Sequence, residues 1–174
     1  MIKFDEIWKN HPTVANITDP CSVNGKSKFP NQCAIRVGVA LSKCGINTSK
    51  MPGARHCWHH KKSEGHILAA EDLANSLKKL PIQGVQAAIY VDPKTFKTEL
   101  ANKKGIIMFK DYWKRHGENN PTGDHIDLWN GSRLTDPKSW ARIHLRVGGV
   151  GLHSFIPGWS DLENSKSILF WRIL

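Results

Sequence analysis

Three residue types in this chain match the needs of a cysteine hydrolase: Cys33, His125 and an aspartate near the histidine. Such an enzyme requires a thiolate nucleophile, an imidazole that protonates the leaving group, and a third group that orients the imidazole. Cys33 lies at about the second position of a predicted helix, where unpaired backbone N–H groups and the helix dipole favour a thiolate. The same N–H groups are suited to stabilising an oxyanion. These features indicate nucleophilic catalysis by Cys33.

The orienting carboxylate is selected by a hairpin pattern around Asn130-Gly131. Asn-Gly between two alternating runs predicts a two-residue turn, because a type I′ turn needs a positive φ at both central positions. That turn places Trp129 opposite Ser132, and counting outward brings His125 opposite Asp136. Side chains of directly opposed residues meet across two strands. The pattern therefore predicts that Asp136 orients His125.

The sequence also leaves alternatives open. Asp127 competes as the orienting group, because it is two residues from His125 and points to the same face of the strand. A cysteine near a helix start is often only a small buried hydrophobe. Cys44 competes as the nucleophile, but it lies at the C-terminal end of the helix, where the dipole disfavours a thiolate. Cys21 and Cys57 lie in predicted loops and are free or bridged.

A second group of polar residues raises the question of a metal site. Its four members crowd into five positions: His56, Cys57, His59 and His60. Structural zinc sites instead space their ligands in pairs. With Lys61 and Lys62 following directly, the segment is interpreted as a solvated basic loop, and no metal or cofactor is expected.

Helices are predicted before strands. Hydrophobic spacing and end signals predict helices over residues 4–9, 32–44 and 67–79, a short helix after Asp92-Pro93, and strands over 86–91, 105–109, 125–129, 133–135, 142–147 and 168–174. This order is typical of an α+β fold in which N-terminal helices pack on an antiparallel β-sheet. A chain of 174 residues is of ordinary size for one domain, which is predicted to span residues 1–174.

The chain is strongly basic, with 25 Lys and Arg against 15 Asp and Glu, a formal net charge of +10. An anionic partner fits this charge: nucleic acid, an acidic membrane face or an acidic polymer such as a bacterial cell wall. No nucleic-acid-binding signature is recognised, and no apolar run approaches the roughly 18 residues of a membrane span. No signal peptide pattern is visible at the start. A non-catalytic basic module that binds an anionic polymer is the alternative to an enzyme.

Three sequence blocks carry a resemblance to a known family: 29–36 (FPNQCAIR), 105–113 (GIIMFKDYW) and 123–131 (GDHIDLWNG). Together they resemble the fourth family of type VI secretion amidase effectors, antibacterial toxins of the papain-like NlpC/P60 fold. The resemblance implies a triad of Cys33, His125 and Asp136. In one respect the chain departs from the wider papain pattern, because the position six residues before the cysteine is Ser27 rather than Gln. The oxyanion donor besides the Cys33 amide is therefore unassigned.

The resemblance also implies a substrate, partners and a place of action. It implies cleavage of the peptidoglycan stem peptide at the bond from γ-D-glutamate to meso-diaminopimelate. The protein would be made in the cytoplasm without a signal peptide, exported by the type VI secretion apparatus, and act in the periplasm of the target bacterium. A cognate immunity protein would protect the producer. Neither nucleic acid nor membrane insertion is expected.

Overall fold

Three helices precede the strands of the main sheet in a computed structural model that describes residues 1–113, 122–136 and 162–174. They are α1 (Phe4–Asn10), α2 (Cys33–Lys43) and α3 (Ala70–Lys79). None of the helices in these described ranges is long and apolar enough to cross a membrane. Short 3-10 turns lie at Thr48–Lys50, Lys62–Glu64 and Leu162–Asn164.

The main sheet contains four described strands, and a short helix lies between the first and second of them along the chain. The elements are β3 (Ile89–Val91), α4 (Phe96–Glu99), β4 (Gly105–Trp113), β5 (Gly123–Trp129) and β6 (Ser167–Arg172). The strand order is β3-β6-β4-β5, and every neighbouring pair is antiparallel. A separate small hairpin consists of β1 (Ser22–Val23) and β2 (Lys26–Ser27). The predicted α+β class with an antiparallel sheet is confirmed.

The α2 helix is buried on two sides, because its apolar residues cover more than one face. Val37, Ala40 and Leu41 are fully buried in the core that it forms with α1, α3 and the sheet. Ile35 and Val39 belong to a second, smaller cluster with loop residues. A helix buried on two sides has little freedom to rotate or slide, so its first residue is held in a defined position.

Strand β4 separates two layers of apolar side chains. Ile106 and Met108 face the helices, while Ile107 and Phe109 face a different apolar cluster, which forms with α4 on the other side of the sheet. This alternation is the period of two expected when both faces of a strand are buried. Because β5 pairs with β4, with His125 opposite Phe109, the position of His125 on the sheet is set by a fully buried neighbour.

Most predicted elements are present, with shifted ends. The helix predicted over 32–44 is α2, shorter by one residue at each end. The helix predicted to begin at Ile67 begins at Ala70 instead, because Ile67 forms an isolated antiparallel bridge with His56. The strand predicted over 86–91 is observed only at Ile89–Val91. The strand predicted over 142–147 lies outside the described residues.

Candidate active site

Cys33 is the first residue of α2 and is 9% exposed. Burial by itself raises the pKa of the Cys33 thiol, but the neighbouring His125 imidazole lowers it. The backbone N–H groups of Ile126 and Ala34 add to this lowering, and the net shift is downward. The Cys33 N–H is the group expected to stabilise the oxyanion. In this structure it donates a hydrogen bond to Oδ1 of Asn31 at 3.2 Å. A lowered pKa is what a cysteine nucleophile requires.

All four cysteines are free thiols, and the pKa values of Cys21 and Cys44 contrast with the lowered pKa of Cys33. Burial raises the pKa of Cys21 to about 12, with a further contribution from neighbouring Cys57. Burial also raises the pKa of Cys44, the alternative nucleophile, and the charge of Glu6 acts in the same direction. Because a thiol with a raised pKa is a poor nucleophile near neutral pH, the structure favours Cys33 over Cys44.

His125 lies on β5 with its side chain 27% exposed. Burial lowers the pKa of His125, but the nearby carboxylate of Asp127 and the thiol of Cys33 raise it well above the ordinary value of 6.5. The ring of Tyr112 meets the imidazole edge to face at a centroid distance of 6.1 Å. Asp127 and Cys33 together therefore favour an imidazolium that faces a thiolate, the ion pair used by papain-like cysteine enzymes.

Asp127 lies in contact with the imidazole of His125. Its Oδ2 lies 3.8 Å from Nε2 of His125. The hydroxyl of Thr135 donates to Oδ1 at 2.7 Å, and the Leu128 N–H donates to the same oxygen at 2.7 Å. Burial raises the pKa of Asp127, but His125 and the other partners lower it overall. Asp127 is thus held as a buried anion beside the imidazolium.

The two-residue turn predicted at Asn130-Gly131 is wrong. Trp129 pairs with Leu134 instead of facing Ser132. The Asn130 side chain explains the difference, because its Oδ1 accepts the N–H groups of both Ser132 and Arg133, at 3.1 and 2.9 Å. An Asn side chain that accepts backbone N–H groups in this way closes a longer loop than a type I′ turn.

The shifted pairing removes the geometric argument for Asp136. A pairing of Trp129 with Leu134 no longer brings Asp136 opposite His125. Asp136 is half-buried and directly follows Thr135, one of the partners of Asp127. Its assignment to the triad stays a prediction from the resemblance.

His11, at the end of α1, contacts the site, although no sequence pattern marks it as a site residue. Its Nε2 lies 3.5 Å from Oδ1 of Asp127, and its side chain is 2% exposed. Burial is the largest cause that lowers the pKa of His11, to about 4, so the ring is neutral at pH 7. Nδ1 accepts the N–H of Thr13 at 3.3 Å, which places the ring proton on Nε2, an atom without a hydrogen-bond partner among the described residues. No local spacing links residue 11 to residue 127, so no sequence signal identifies this contact.

Comparison with known proteins identifies the family of this chain. The family profile described as "Type VI secretion system (T6SS), amidase effector protein 4" (Tae4) matches residues 29–171. The chain belongs to the Tae4 family. The crystal structure of the type VI effector Tae4 from Enterobacter cloacae is similar, with a TM-score of 0.59 and 20% identity, covering 100% of this chain and 98% of that chain. At this identity the likeness shows a shared fold. No curated protein matches the chain.

Membership in the Tae4 family confirms the resemblance noted in the sequence and identifies the chain as an amidase effector of a type VI secretion system. It also supports peptidoglycan as the substrate and the secretion apparatus as a partner. The residues matched to the Tae4 profile include Cys33, His125, Asp127 and Asp136, whereas His11 precedes them.

Proposed function

We propose that this protein is a cysteine peptidoglycan amidase with the papain-like NlpC/P60 fold, a D,L-endopeptidase. Its substrate is the bond from γ-D-glutamate to meso-diaminopimelate in cell-wall stem peptides. The observation that carries the proposal is the arrangement at the start of α2. There, His125 lowers the pKa of Cys33, the first residue of the helix, and the His125 imidazole lies 3.8 Å from the buried carboxylate of Asp127. The net charge of +10 suits an anionic polymer as substrate.

The chemistry divides between the two residues of the ion pair. The Cys33 thiolate attacks the amide carbonyl carbon, and a C–S bond forms as the carbonyl oxygen becomes an oxyanion. The His125 imidazolium gives its proton to the leaving amine nitrogen, so the C–N bond breaks and a thioester is left. The neutral imidazole then takes a proton from water, which attacks the thioester. The C–S bond breaks, the carboxylate product leaves, and the Cys33 thiolate is regenerated.

Two carboxylates are proposed to support His125, on different grounds. Asp136 is the orienting member of the triad, and the ground for this role is the resemblance to the Tae4 family. Asp127 supplies the negative charge that holds His125 as an imidazolium, and the ground is the contact of 3.8 Å. The single variants Asp136→Asn and Asp127→Asn separate these roles. The first is expected to lower kcat by about 10²–10⁴-fold, whereas the second also shifts the pH profile.

The test is digestion of meso-diaminopimelate peptidoglycan by the full chain, with released fragments identified by mass. Wild type should release fragments cut at the γ-D-glutamyl bond, and Cys33→Ala should release none while keeping the wild-type circular dichroism. Cys44→Ala is the matched control, because Cys44 lies at the other end of α2, and it should cleave like wild type. Cleavage by folded Cys33→Ala would refute the mechanism. Salt-sensitive binding without cleavage by wild type would point to the basic binding module instead.

The place of action follows from the same proposal. The protein acts in the periplasm of a target bacterium after delivery by the type VI apparatus, and a cognate immunity protein protects the producer. Expression with an added export signal should lyse cells that lack the immunity protein, whereas Cys33→Ala in the same format should not. Equal lysis by the two forms would separate toxicity from amidase activity.

A further inference from the structure

Four side chains from two loops converge beside the face of α2 that carries Ile35 and Val39. They are Cys21, Cys57, His60 and His66, and their ligand atoms all lie within 4.8 Å of one another. Nδ1 of His60 lies 3.2 Å from Sγ of Cys57 and 3.6 Å from Sγ of Cys21. The rings of His60 and His66 stack at a centroid distance of 3.8 Å. The set therefore offers two sulfur and two nitrogen ligands at one point.

Three of the four side chains are buried, and one polar atom of the cluster lacks a hydrogen-bond partner. Cys21 and Cys57 are buried, and His66 is 6% exposed. Nδ1 of His66 has no hydrogen-bond partner among the described residues. Buried polar atoms in folded proteins are almost always satisfied, so an orphaned imidazole nitrogen beside two thiols indicates a missing partner. A cation with an affinity for sulfur and nitrogen would satisfy all four groups.

We propose that Cys21, Cys57, His60 and His66 bind one Zn²⁺ ion. Two cysteines and two histidines form one of the standard sets of structural zinc sites, with four tetrahedral ligands. Zinc bonds of about 2.3 Å to sulfur and about 2.0 Å to nitrogen require the ligand atoms to close by on the order of 1 Å. Binding releases the two thiol protons, so two thiolates balance the charge of Zn²⁺ and the buried site is neutral.

The sequence pattern concealed this set, because the segment interpreted as a solvated loop contains a buried residue, Cys57. Of the crowded cluster, only Cys57 and His60 take part, and the two residues between them match the paired spacing of zinc ligands. His59 instead packs against exposed Trp58. The remaining two ligands come from elsewhere in the chain, which only the fold brings together.

The ion would fasten the loop before α2 to the loop over residues 57–66. Cys21 and Cys57 pack with Ile35 and Val39 on the second buried face of α2. The Cys21 N–H donates to Oε1 of Gln32 at 2.8 Å, and Gln32 directly precedes the nucleophile. A structural zinc ion here would hold the segment that leads into Cys33 without touching the substrate.

The direct test is the metal content of the full chain, purified under reducing conditions without a chelator. Elemental mass spectrometry is expected to find one zinc per chain. Cys57→Ser should lose it, whereas the control Cys44→Ser should keep it, because Cys44 is not part of the cluster. Reduced wild type that binds no zinc overturns the proposal, as does equal zinc in Cys57→Ser. If the protein before reduction has an intact mass lower by two hydrogens and peptide mapping links Cys21 to Cys57, while the reduced protein binds no zinc, the pair forms a disulfide instead.

A second measurement keeps the proposal falsifiable if Cys57→Ser does not fold. Co²⁺ added to reduced, zinc-free wild type should give thiolate-to-cobalt charge-transfer bands and the intense visible bands of a tetrahedral centre. Zinc added afterwards should abolish them at one equivalent. A spectrum of octahedral, water-bound cobalt would overturn the proposal without any variant.

Discussion

Nε2 of His11 lies 3.5 Å from Oδ1 of Asp127, on the carboxylate whose other oxygen faces His125. One buried anion therefore lies between two histidines in opposite states. Burial keeps His11 neutral by lowering its pKa to about 4, while Asp127 and Cys33 raise the pKa of His125 well above 6.5. A neutral ring on one side leaves the charge of Asp127 free to stabilise the imidazolium on the other.

The buried His11 should make folding sensitive to acid. Its pKa is about 4 in the folded chain against 6.5 for an ordinary histidine, so between these values the unfolded chain binds a proton that the folded chain does not. Stability from this group is complete above pH 6.5 and falls as the pH drops towards 4, by about 3 kcal/mol in total. Asp127, Arg36 and His125 are the charged or titratable groups that act on it.

Urea unfolding of wild type and His11→Gln at pH 7 and at about pH 4.5 measures this contribution. Gln keeps an N–H towards Asp127 but does not titrate, so the variant should lose less stability than wild type on acidification. An equal loss in both proteins would show that His11 does not titrate as the buried geometry requires.

The pH dependence of hydrolysis should be bell-shaped. Activity should rise with pH as Cys33 loses its proton, below the ordinary thiol range, and fall as His125 loses its proton, well above 6.5. Asp127→Asn removes the charge that raises the pKa of His125, so the alkaline limb of kcat/KM should move to lower pH. An unchanged alkaline limb would mean that Asp127 does not act on the imidazole.

Alkylation should single out one thiol. Iodoacetamide near neutral pH should modify Cys33 much faster than Cys44, because His125 lowers the pKa of Cys33 while burial raises that of Cys44. Peptide mass mapping over time gives the rate at each cysteine. His125→Ala should slow the modification of Cys33 and leave that of Cys44 unchanged. Similar rates at both cysteines in wild type would contradict the ion pair.

Gly38 in α2 should tolerate no side chain. A Cβ there would lie 2.1 Å from the carbonyl oxygen of Gly65, a backbone atom in the loop that carries His66. Gly38→Ala should destabilise the fold by about 1–3 kcal/mol, even though alanine favours helices. Lys43→Ala, an exposed change in the same helix, should have little effect on urea unfolding. A stability of Gly38→Ala equal to or above wild type would show that the loop yields.

The sequence by itself determined the parts of the site that depend on local rules. Apolar spacing and end signals located α2 to within one residue at each end and so placed Cys33 in its first turn. The period of two in a strand put His125 and Asp127 on one face. The motif blocks identified the family, which the match over residues 29–171 confirms.

Only the tertiary structure decided which of these residues meet. The Asn130-Gly131 turn follows the wider register in which Trp129 pairs with Leu134, and the Asn102 N–H donates to the Gly131 carbonyl at 3.2 Å, a contact from the loop before β4. His11 reaches Asp127 from the other end of the chain, and Cys21 meets Cys57, His60 and His66 from a different loop. Local patterns report hydrophobic period and turn preference, whereas distances between remote segments arise only when the helices and the sheet pack.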